Sequence, residues 1–194
     1  YEIQVLAPMK QGELGVENLN RELQTILNPA VAGKREHNAH DTLFREGDKV
    51  MQIKNDYKLE WVIYDSSGRI EREKGSGVFN GDIGVIKEID DYTQQVKVVM
   101  DDDRVVKYDF KQLDELELAY AVTIHKSQGS EFDSVIMPIL NAAPVLLTRN
   151  VLYTGMTRAK SNLVIIGNQK TIEFMINNVN SKKRNSGLEF KLCN

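Results

Sequence analysis

The chain changes its hydrophobic pattern twice along its length, and these changes limit the folds that it can adopt. Residues 1–41 and 114–194 combine short apolar runs with segments of helical periodicity, which is typical of a parallel β-sheet covered by helices. Residues 42–113 instead contain short β-rich runs separated by turn signals such as Asn80-Gly81, whose residues tolerate positive φ. The sequence therefore predicts an α/β domain that is interrupted by a small antiparallel β-barrel.

The individual elements follow from the same patterns. A buried strand is predicted at Ile3–Ala7, followed by a helix whose apolar residues recur from Val16 to Leu27 and which ends at Asn28-Pro29, because proline disfavours helical geometry in the preceding residue. The β-rich runs are Lys49–Ile53, Trp61–Tyr64, Ile83–Ile89, Gln95–Met100 and Arg104–Tyr108. Later strands are predicted at Glu117–Ile124, Val135–Leu140 and Leu163–Gly167, and later helices at Arg149–Lys160 and Lys170–Val179. Residues 181–194 are expected to form an edge strand or to pack after a partner binds.

Composition narrows the class of protein. With 194 residues, 41% of them hydrophobic, the chain can form one substantial domain or two small ones. No apolar run approaches the ~20 residues that span a bilayer, and no secretory signal is visible, so we expect a cytoplasmic protein without a membrane partner. One cysteine, Cys193, and three scattered histidines predict no metal site. The net charge of −3 argues against nucleic-acid binding by bulk charge and leaves only local basic patches.

Two segments carry the candidate chemistry. The string TIHKSQGSEF at Thr123–Phe132 places hydroxyls, an imidazole, an amide and a glycine directly after a β-rich run, where α/β sheets hold their ligand-contacting groups. The string VLYTGMTRAK at Val151–Lys160 presents Arg158 on a predicted helix, with Gly155 one turn earlier to permit a close approach. An arginine at such a place either binds phosphate through its planar fork or pairs with a surface carboxylate.

These two segments closely resemble motifs V and VI of superfamily 1 helicases, most nearly those of the RecD/TraA branch. Val5–Pro29 resembles the motif IV region of that branch, while Gly47–Tyr57 and Phe79–Ile86 resemble its segment between motifs IV and V. The resemblance implies a second RecA-like motor domain with an inserted SH3-like barrel. It also implies an ATP-dependent DNA helicase that moves 5′-to-3′ on single-stranded DNA in repair or recombination, alone or in a helicase–nuclease complex. An N-terminal motor domain would be the partner of this part and would hold most of the Mg²⁺.

The resemblance assigns Arg158 as an arginine finger that completes the charge clamp on the γ-phosphate of ATP. Lys10 stands where related helicases have an arginine, and it either binds phosphate as a point charge or is a solvated turn residue. Gly129 can let the backbone come close to the nucleotide, and Glu131 would repel phosphate but could accept a hydrogen bond from a ribose hydroxyl. We therefore predict nucleotide contacts from these four residues.

The candidate DNA contacts lie earlier in the same string and in the barrel. Thr123, His125 and Ser127 would face one side of an extended chain and could donate to DNA phosphates; the alternative is a polar loop that caps the following structure. The barrel aromatics are either base-stacking platforms or core residues. They are Tyr57, Trp61, Tyr64 and Phe79. The acidic run Asp101–Asp103 is predicted to be a turn and not a metal site.

One absence in the sequence limits what this chain can do alone. No glycine begins the pattern G-x-x-x-x-G-K-[ST], so no loop of this chain can wrap ATP phosphates as a P-loop does. We therefore predict that the chain alone does not hydrolyse ATP, and that the natural protein continues upstream of a sequence that opens inside a strand. The alternative function is a non-enzymatic module that binds nucleic acid or protein on an α/β scaffold, for which the string around Arg158 has no use.

Overall fold

A computed structural model describes residues 3–140 and 143–179, so the prediction for residues 181–194 lies outside the described residues. In chain order the elements are β1 (Ile3–Ala7), α1 (Val16–Leu27), β2 (Glu36–Ala39), β3 (Thr42–Arg45), β4 (Lys49–Gln52), β5 (Asp56–Tyr64), β6 (Glu71–Val78), β7 (Ile83–Asp90), β8 (Gln95–Met100), β9 (Val105–Asp109), a 3₁₀ helix (Phe110–Glu115), β10 (Leu116–Leu118), β11 (Ala121–Thr123), β12 (Phe132–Ile139), α2 (Arg149–Met156), β13 (Ala159–Gly167) and α3 (Gln169–Asn177).

The first and last parts of the chain share one parallel sheet of order β11-β1-β12-β13. Its strands are rich in apolar residues, and one face packs against α2 and α3, as expected for a parallel sheet. The core of this body includes Leu6, Val135, Met137, Ile139, Leu152 and Met175. No helix in the described part of the chain is long and apolar enough to cross a bilayer.

The middle of the chain forms an antiparallel sheet of order β10-β4-β7-β8-β9-β5-β6. Its strands bury alternate residues, as β8 does with Val96, Val98 and Met100, and these residues build a second core. The five predicted β-rich runs coincide with β4, β5, β7, β8 and β9, so that prediction is confirmed. The segment Glu60–Gly77 forms most of the long hairpin of β5 and β6.

Three predicted elements differ from the structure. The run Glu117–Ile124 is not one strand, because β10 pairs with β4 in the antiparallel sheet whereas β11 pairs with β1 in the parallel sheet. The antiparallel sheet thus continues past residue 113. The predicted helix Arg149–Lys160 ends at Met156, and β13 begins at Ala159. The predicted boundary at residue 41 lies in the turn of a hairpin formed by β2 and β3.

Helix α1 forms where predicted, but of its recurring apolar residues only Val16 is buried. Apolar residues at helical spacing suggested an apolar buried face, yet Ile26 and Leu27 are exposed. The helix instead buries Val16, Asn20 and Gln24, and the capping residue Asn28 is buried as well. A helix that buries amides needs hydrogen-bond partners for them, and these partners lie in the segments that join the two sheets.

Candidate nucleotide and nucleic-acid site

The two candidate motif segments meet where β12 and β13 begin. The backbone N–H of Phe132 donates to the carbonyl of Arg158 at 2.9 Å, and Arg158 Nη1 donates to the carbonyl of Ser130 at 3.0 Å. Phe132 then pairs with Ala159 as the strands start to run in parallel. The end of the motif V segment and the arginine of the motif VI segment are therefore fixed to each other.

Arg158 lies in the short turn between α2 and β13, so the prediction that it belongs to the helix is wrong. Its Nε donates to the carbonyl of Thr154 at 3.2 Å, and its Nη2 donates to the hydroxyl of Thr157 at 3.3 Å. Within the described residues no carboxylate forms an ion pair with it. Neutral acceptors thus orient a guanidinium that keeps its charge available for an anion, which is against the alternative of a surface ion pair.

Gly155 permits a close approach, but to a neighbouring strand. A Cβ atom at this position would lie 2.4 Å from the Cε atom of Met137 in β12. The absent side chain therefore lets α2 lie close against the sheet, and this contact sets the position of the turn that carries Arg158.

The motif V segment does not continue as an extended chain, so the alternation argued for its side chains is wrong. Strand β11 ends at Thr123, and the residues after it form turns. Ser127 is fully buried and its hydroxyl donates to the carbonyl of Ile124 at 2.8 Å. The Thr123 hydroxyl accepts from the N–H of Lys126 at 3.2 Å. Of the three predicted DNA contacts, only His125 is exposed in this arrangement.

Gly129 and Glu131 lie toward the end of the segment that holds Arg158. Gly129 has φ of +95° with open space around it, so it serves a turn that other residues rarely adopt. Glu131 is exposed and lines a cleft of about 270 Å³ between the two bodies. The other charged residues of the cleft are Asp82, Asp101, Asp102 and Arg104. Arg104 is already paired with Asp82 and Asp102, so the cleft disfavours phosphate.

Lys10 and Arg158 lie at opposite ends of the strands of the parallel sheet. Lys10 follows the C-terminal end of β1, where Ala7 pairs with Thr123, whereas Arg158 lies toward the other end, where Ile3 pairs with Ser134. Four residue steps of β1 separate the two ends by about 13 Å. Lys10 instead approaches Glu117 at 3.9 Å, and Glu117 also binds Lys126 at 2.6 Å. The structure therefore does not bring Lys10 together with the other predicted nucleotide contacts.

The four predicted barrel aromatics differ in how far they are exposed. Trp61 packs over Gly75, where a Cβ atom would lie 2.5 Å from its ring, and the guanidinium of Arg104 lies 5.8 Å from the ring centre. Tyr57 and Phe79 are exposed and meet edge to face with ring centres 5.7 Å apart. Tyr64, like Trp61, is half-buried, so Tyr57 and Phe79 are the most exposed of the four predicted aromatics.

The acidic run Asp101–Asp103 forms the turn between β8 and β9, as predicted. Within residues 3–140 and 143–179, no three potential metal-ligating side chains come together. Asp103 has φ of +66°, a conformation that aspartate tolerates in turns.

Sequence reasoning missed a cluster of buried polar residues around Asp48, which joins α1 to the chain segments that enter and leave the barrel. Asp48 is fully buried and accepts hydrogen bonds from Gln24, Asn28 and Tyr120. The spacing of the amides along α1, four residues apart at 20, 24 and 28, is a signal that could have located this cluster.

Two family models match the chain. The model described as "ATP-dependent RecD-like DNA helicase SH3 domain" matches residues 19–100, and the model described as "UvrD-like helicase C-terminal domain" matches residues 118–166. The chain belongs to the C-terminal region of RecD-type superfamily 1 helicases. The resemblance that rested on motifs IV, V and VI is thereby confirmed.

Relatives of this RecD-type region are much longer than the chain. It is 34% identical to the "ATP-dependent RecD2 DNA helicase" of Deinococcus radiodurans over 85% of the chain and 20% of that protein. It is 29% identical to the "RecBCD enzyme subunit RecD" of Haemophilus influenzae over 96% of the chain and 24% of that protein. The chain therefore spans about a fifth to a quarter of these relatives.

Solved helicase structures share the fold. The structure of a Bacteroides Pif1 helicase in complex with ADP-AlF3 and ssDNA matches over 97% of this chain and 44% of the Pif1 chain, with a TM-score of 0.54 at 18% identity. The structure of Bacteroides Pif1 bound to ssDNA matches over 85% of this chain and 40% of the Pif1 chain, with a TM-score of 0.52 at 20% identity. The parallel sheet is thus a RecA-like motor domain and the antiparallel sheet an SH3-like insertion, as predicted.

Proposed function

We propose that this chain is the C-terminal motor part of an ATP-dependent DNA helicase that moves along single-stranded DNA, with Arg158 as its arginine finger. The observation that carries the proposal is the position of Arg158, which joins the motif V and VI segments and has no carboxylate partner in the described part of the chain. A binding module without chemistry has no need of an arginine held in this way.

ATP would lie between this motor domain and an N-terminal motor domain of the same protein. That domain would supply the P-loop and hold most of the Mg²⁺, because this sequence has no P-loop pattern. Two observations on similar proteins support nucleotide use. The Deinococcus relative is named ATP-dependent, and the Bacteroides Pif1 structure contains ADP-AlF3 together with ssDNA.

Arg158 is oriented for a phosphate that develops charge. Its bonds to Thr154, Ser130 and Thr157 use one hydrogen on each nitrogen, and a guanidinium carries more N–H groups than these. The remaining donors would bind γ-phosphate oxygens when the two motor domains close. Gly129 and Glu131 lie toward the same end of the segment, where Glu131 would accept from the ribose and not from phosphate.

The DNA would lie across the C-terminal ends of β1 and β11 and across the barrel. Lys10 and Thr123 line one small pocket at the C-terminal end of β1, and His125 follows two residues after Thr123, so we assign Lys10 to the DNA side and no longer to the nucleotide. Ser127 would support the loop from inside. The 5′-to-3′ direction follows from the RecD resemblance. The relatives include both a RecD2 helicase and RecBCD subunits, which leaves a free-standing helicase and a helicase–nuclease subunit as two forms of the proposal.

The experiment that tests Arg158 measures DNA-stimulated ATP turnover of the complete helicase. Arg158→Ala should lower kcat by roughly 10²–10⁴ with little change in DNA affinity, because the finger acts on transition-state charge. Arg158→Lys should recover little, since an ammonium lacks the planar fork.

A matched control is available at the other end of α2. Arg149 also donates to a backbone carbonyl, that of Ile176 at 2.6 Å, and lies outside the proposed site. Arg149→Ala should therefore keep kcat within a few-fold of the parent. If Arg158→Ala behaves like Arg149→Ala, Arg158 is structural and the binding-module alternative gains.

A further inference from the structure

Helix α1 presents one row of amides toward the segments that connect the motor domain with the barrel. Asn20, Gln24 and the capping residue Asn28 are spaced four residues apart, so they lie on one side of the helix. Each is only 5% exposed. A buried row of amides on a helix that also leaves Ile26 and Leu27 exposed is not a packing surface of the usual apolar kind.

The row of amides contacts both crossings, that is, the two places where the chain passes between the motor domain and the barrel. Asn20 donates to the carbonyls of Leu118 and Ala121 at 2.9 Å and accepts from the N–H of Ala121 at 2.8 Å, where the chain leaves the barrel. Gln24 donates to the carbonyl of Leu43 at 2.8 Å, where the chain enters it. One helix therefore fixes the entry and the exit of the barrel at the same time.

Asp48 connects these contacts into one cluster. Its carboxylate is fully buried and accepts from Gln24 at 2.6 Å, Asn28 at 2.7 Å, the Tyr120 hydroxyl at 2.9 Å and the N–H of Arg45 at 2.7 Å. A buried carboxylate is tolerated only when hydrogen bonds replace its water. Since the donors come from α1, from the entry and from the exit, the cluster is satisfied only in one relative position of these three parts.

Helix α1 is also bonded to the loop before it, residues 8–15, which belongs to the motif IV region. Its first N–H groups, those of Val16 and Glu17, donate to the carbonyls of Met9 and Lys10 at 3.1 Å. A Cβ atom on Gly15 would lie 2.4 Å from the carbonyl carbon of Gln11, so the turn is closely packed. A shift of the loop that carries Lys10 would move α1 with it.

We propose that Asn20, Gln24, Asn28, Asp48 and Tyr120 form a joint that transmits movement of the motor domain to the barrel, with Asp48 as its positioning residue. This inference rests on the proposed motor function. Because α1 holds both crossings, the barrel follows α1 as a unit and does not swing on two separate linkers. The joint would thus couple DNA binding by the barrel to the ATP-driven movement of the motor domain.

A pair of tyrosines provides a matched test. Tyr120→Phe removes one hydroxyl bond to Asp48 inside the joint, whereas Tyr108→Phe removes one buried hydroxyl bond, to Gln52 at 2.9 Å, inside the barrel. In the complete helicase, Tyr120→Phe and Asp48→Asn should raise the ATP hydrolysed per base pair unwound several-fold. Tyr108→Phe should leave this ratio unchanged although it loses a comparable bond. An unchanged ratio in Tyr120→Phe, or an equal rise in both tyrosine variants, would overturn the proposal.

A second measurement does not depend on helicase activity. In the complete protein with its other cysteines, including Cys193, replaced by serine, spin labels on Tyr92→Cys and Lys170→Cys report the distance between barrel and motor domain. Tyr92 lies on the turn between β7 and β8, and Lys170 lies on α3. Asp48→Asn and Tyr120→Phe should broaden the distance distribution, and Tyr108→Phe should not. If Asp48→Asn does not fold, Tyr120→Phe decides. The two proposals fail separately. A parent protein without ATPase activity would refute the proposed function, whereas a distance distribution that stays narrow in Tyr120→Phe would refute the joint.

Discussion

Replacing Tyr57 by alanine should weaken binding of single-stranded DNA to the complete helicase while leaving its stability almost unchanged. Tyr57 is 70% exposed and lies edge to face with Phe79, which is 43% exposed. The pair is supported by the barrel but leaves a ring face open to solvent. Sequence-tolerant binding of single strands uses such rings, because every base has a face that stacks on them.

The size of the effect follows from exposure and stacking. A ring that is mostly exposed has little burial to lose, so the free energy of unfolding should change by about 0.5 kcal/mol or less. Stacking on one base contributes ~1–3 kcal/mol, which corresponds to roughly 5- to 150-fold in Kd. Phe79→Ala should weaken binding as well. The double variant should lose less than the sum, because the two rings touch and share their effect.

Fluorescence anisotropy with a labelled single strand measures Kd, and it should be repeated over a series of salt concentrations. Tyr57→Ala removes no charge, so the slope of log K against log salt should stay the same. Lys58→Ala should reduce the slope by about 0.7 if that lysine contacts one phosphate.

The control is Tyr92, which is 97% exposed on the turn after β7, whereas Phe79 precedes β7. These two ends of the strand lie about 23 Å apart. Equal affinities of Tyr57→Ala, Tyr92→Ala and the parent would refute the reasoning, and the barrel would then serve a protein partner or pack against the motor.

Two further predictions concern the isolated chain and its pH dependence. The isolated 194-residue chain should release no phosphate from ATP with single-stranded DNA present, once circular dichroism shows that it is folded; turnover would disprove a nucleotide site divided between two domains. Burial, aided by the carboxylates of Glu115 and Asp48 respectively, raises the pKa of Tyr108 and Tyr120 far above the ordinary value of 10.0. Above pH 10 the unfolded chain loses these protons while the folded chain keeps them, so the stability that the two tyrosines contribute is complete below pH 10 and falls above it. Denaturant titrations at rising alkaline pH should show this loss, and a flat profile above pH 10 contradicts the burial of the hydroxyls.

The fold could be predicted because its signals are local. The strands β4, β7, β8 and β9 alternate apolar residues and end at turn residues, so each can be read from its own segment. Strand β6 is not among the predicted β-rich runs because its sequence, EREKGSGV, is largely polar and exposed. It is a strand because its backbone pairs with β5, and side-chain patterns do not report such pairing.

The predictions about the site that are wrong depend on contacts between residues that lie far apart in the sequence. A continuous β-rich run at Glu117–Ile124 gave no sign that the chain passes from one sheet to another at Ala119-Tyr120. The same error made the residues after Thr123 look extended, and it placed Ser127 beside His125 on an exposed side. The string around Arg158 singled out this arginine but placed it on a helix, and only the fold shows that it lies in a turn where backbone carbonyls hold it.

Helix α1 shows why hydropathy can identify a helix and still miss the polar residues that the helix buries. Where a chain crosses twice between two bodies, the crossings leave backbone carbonyls that need donors, and apolar side chains cannot supply them. The carbonyls bonded by the α1 amides are those of Leu43, Glu46, Leu118 and Ala121. Asn20, Gln24 and Asn28 supply the donors, so this junction buries amides and leaves Ile26 and Leu27 exposed. A row of amides four residues apart, on a helix that precedes an inserted domain, is therefore a sequence sign of a joint.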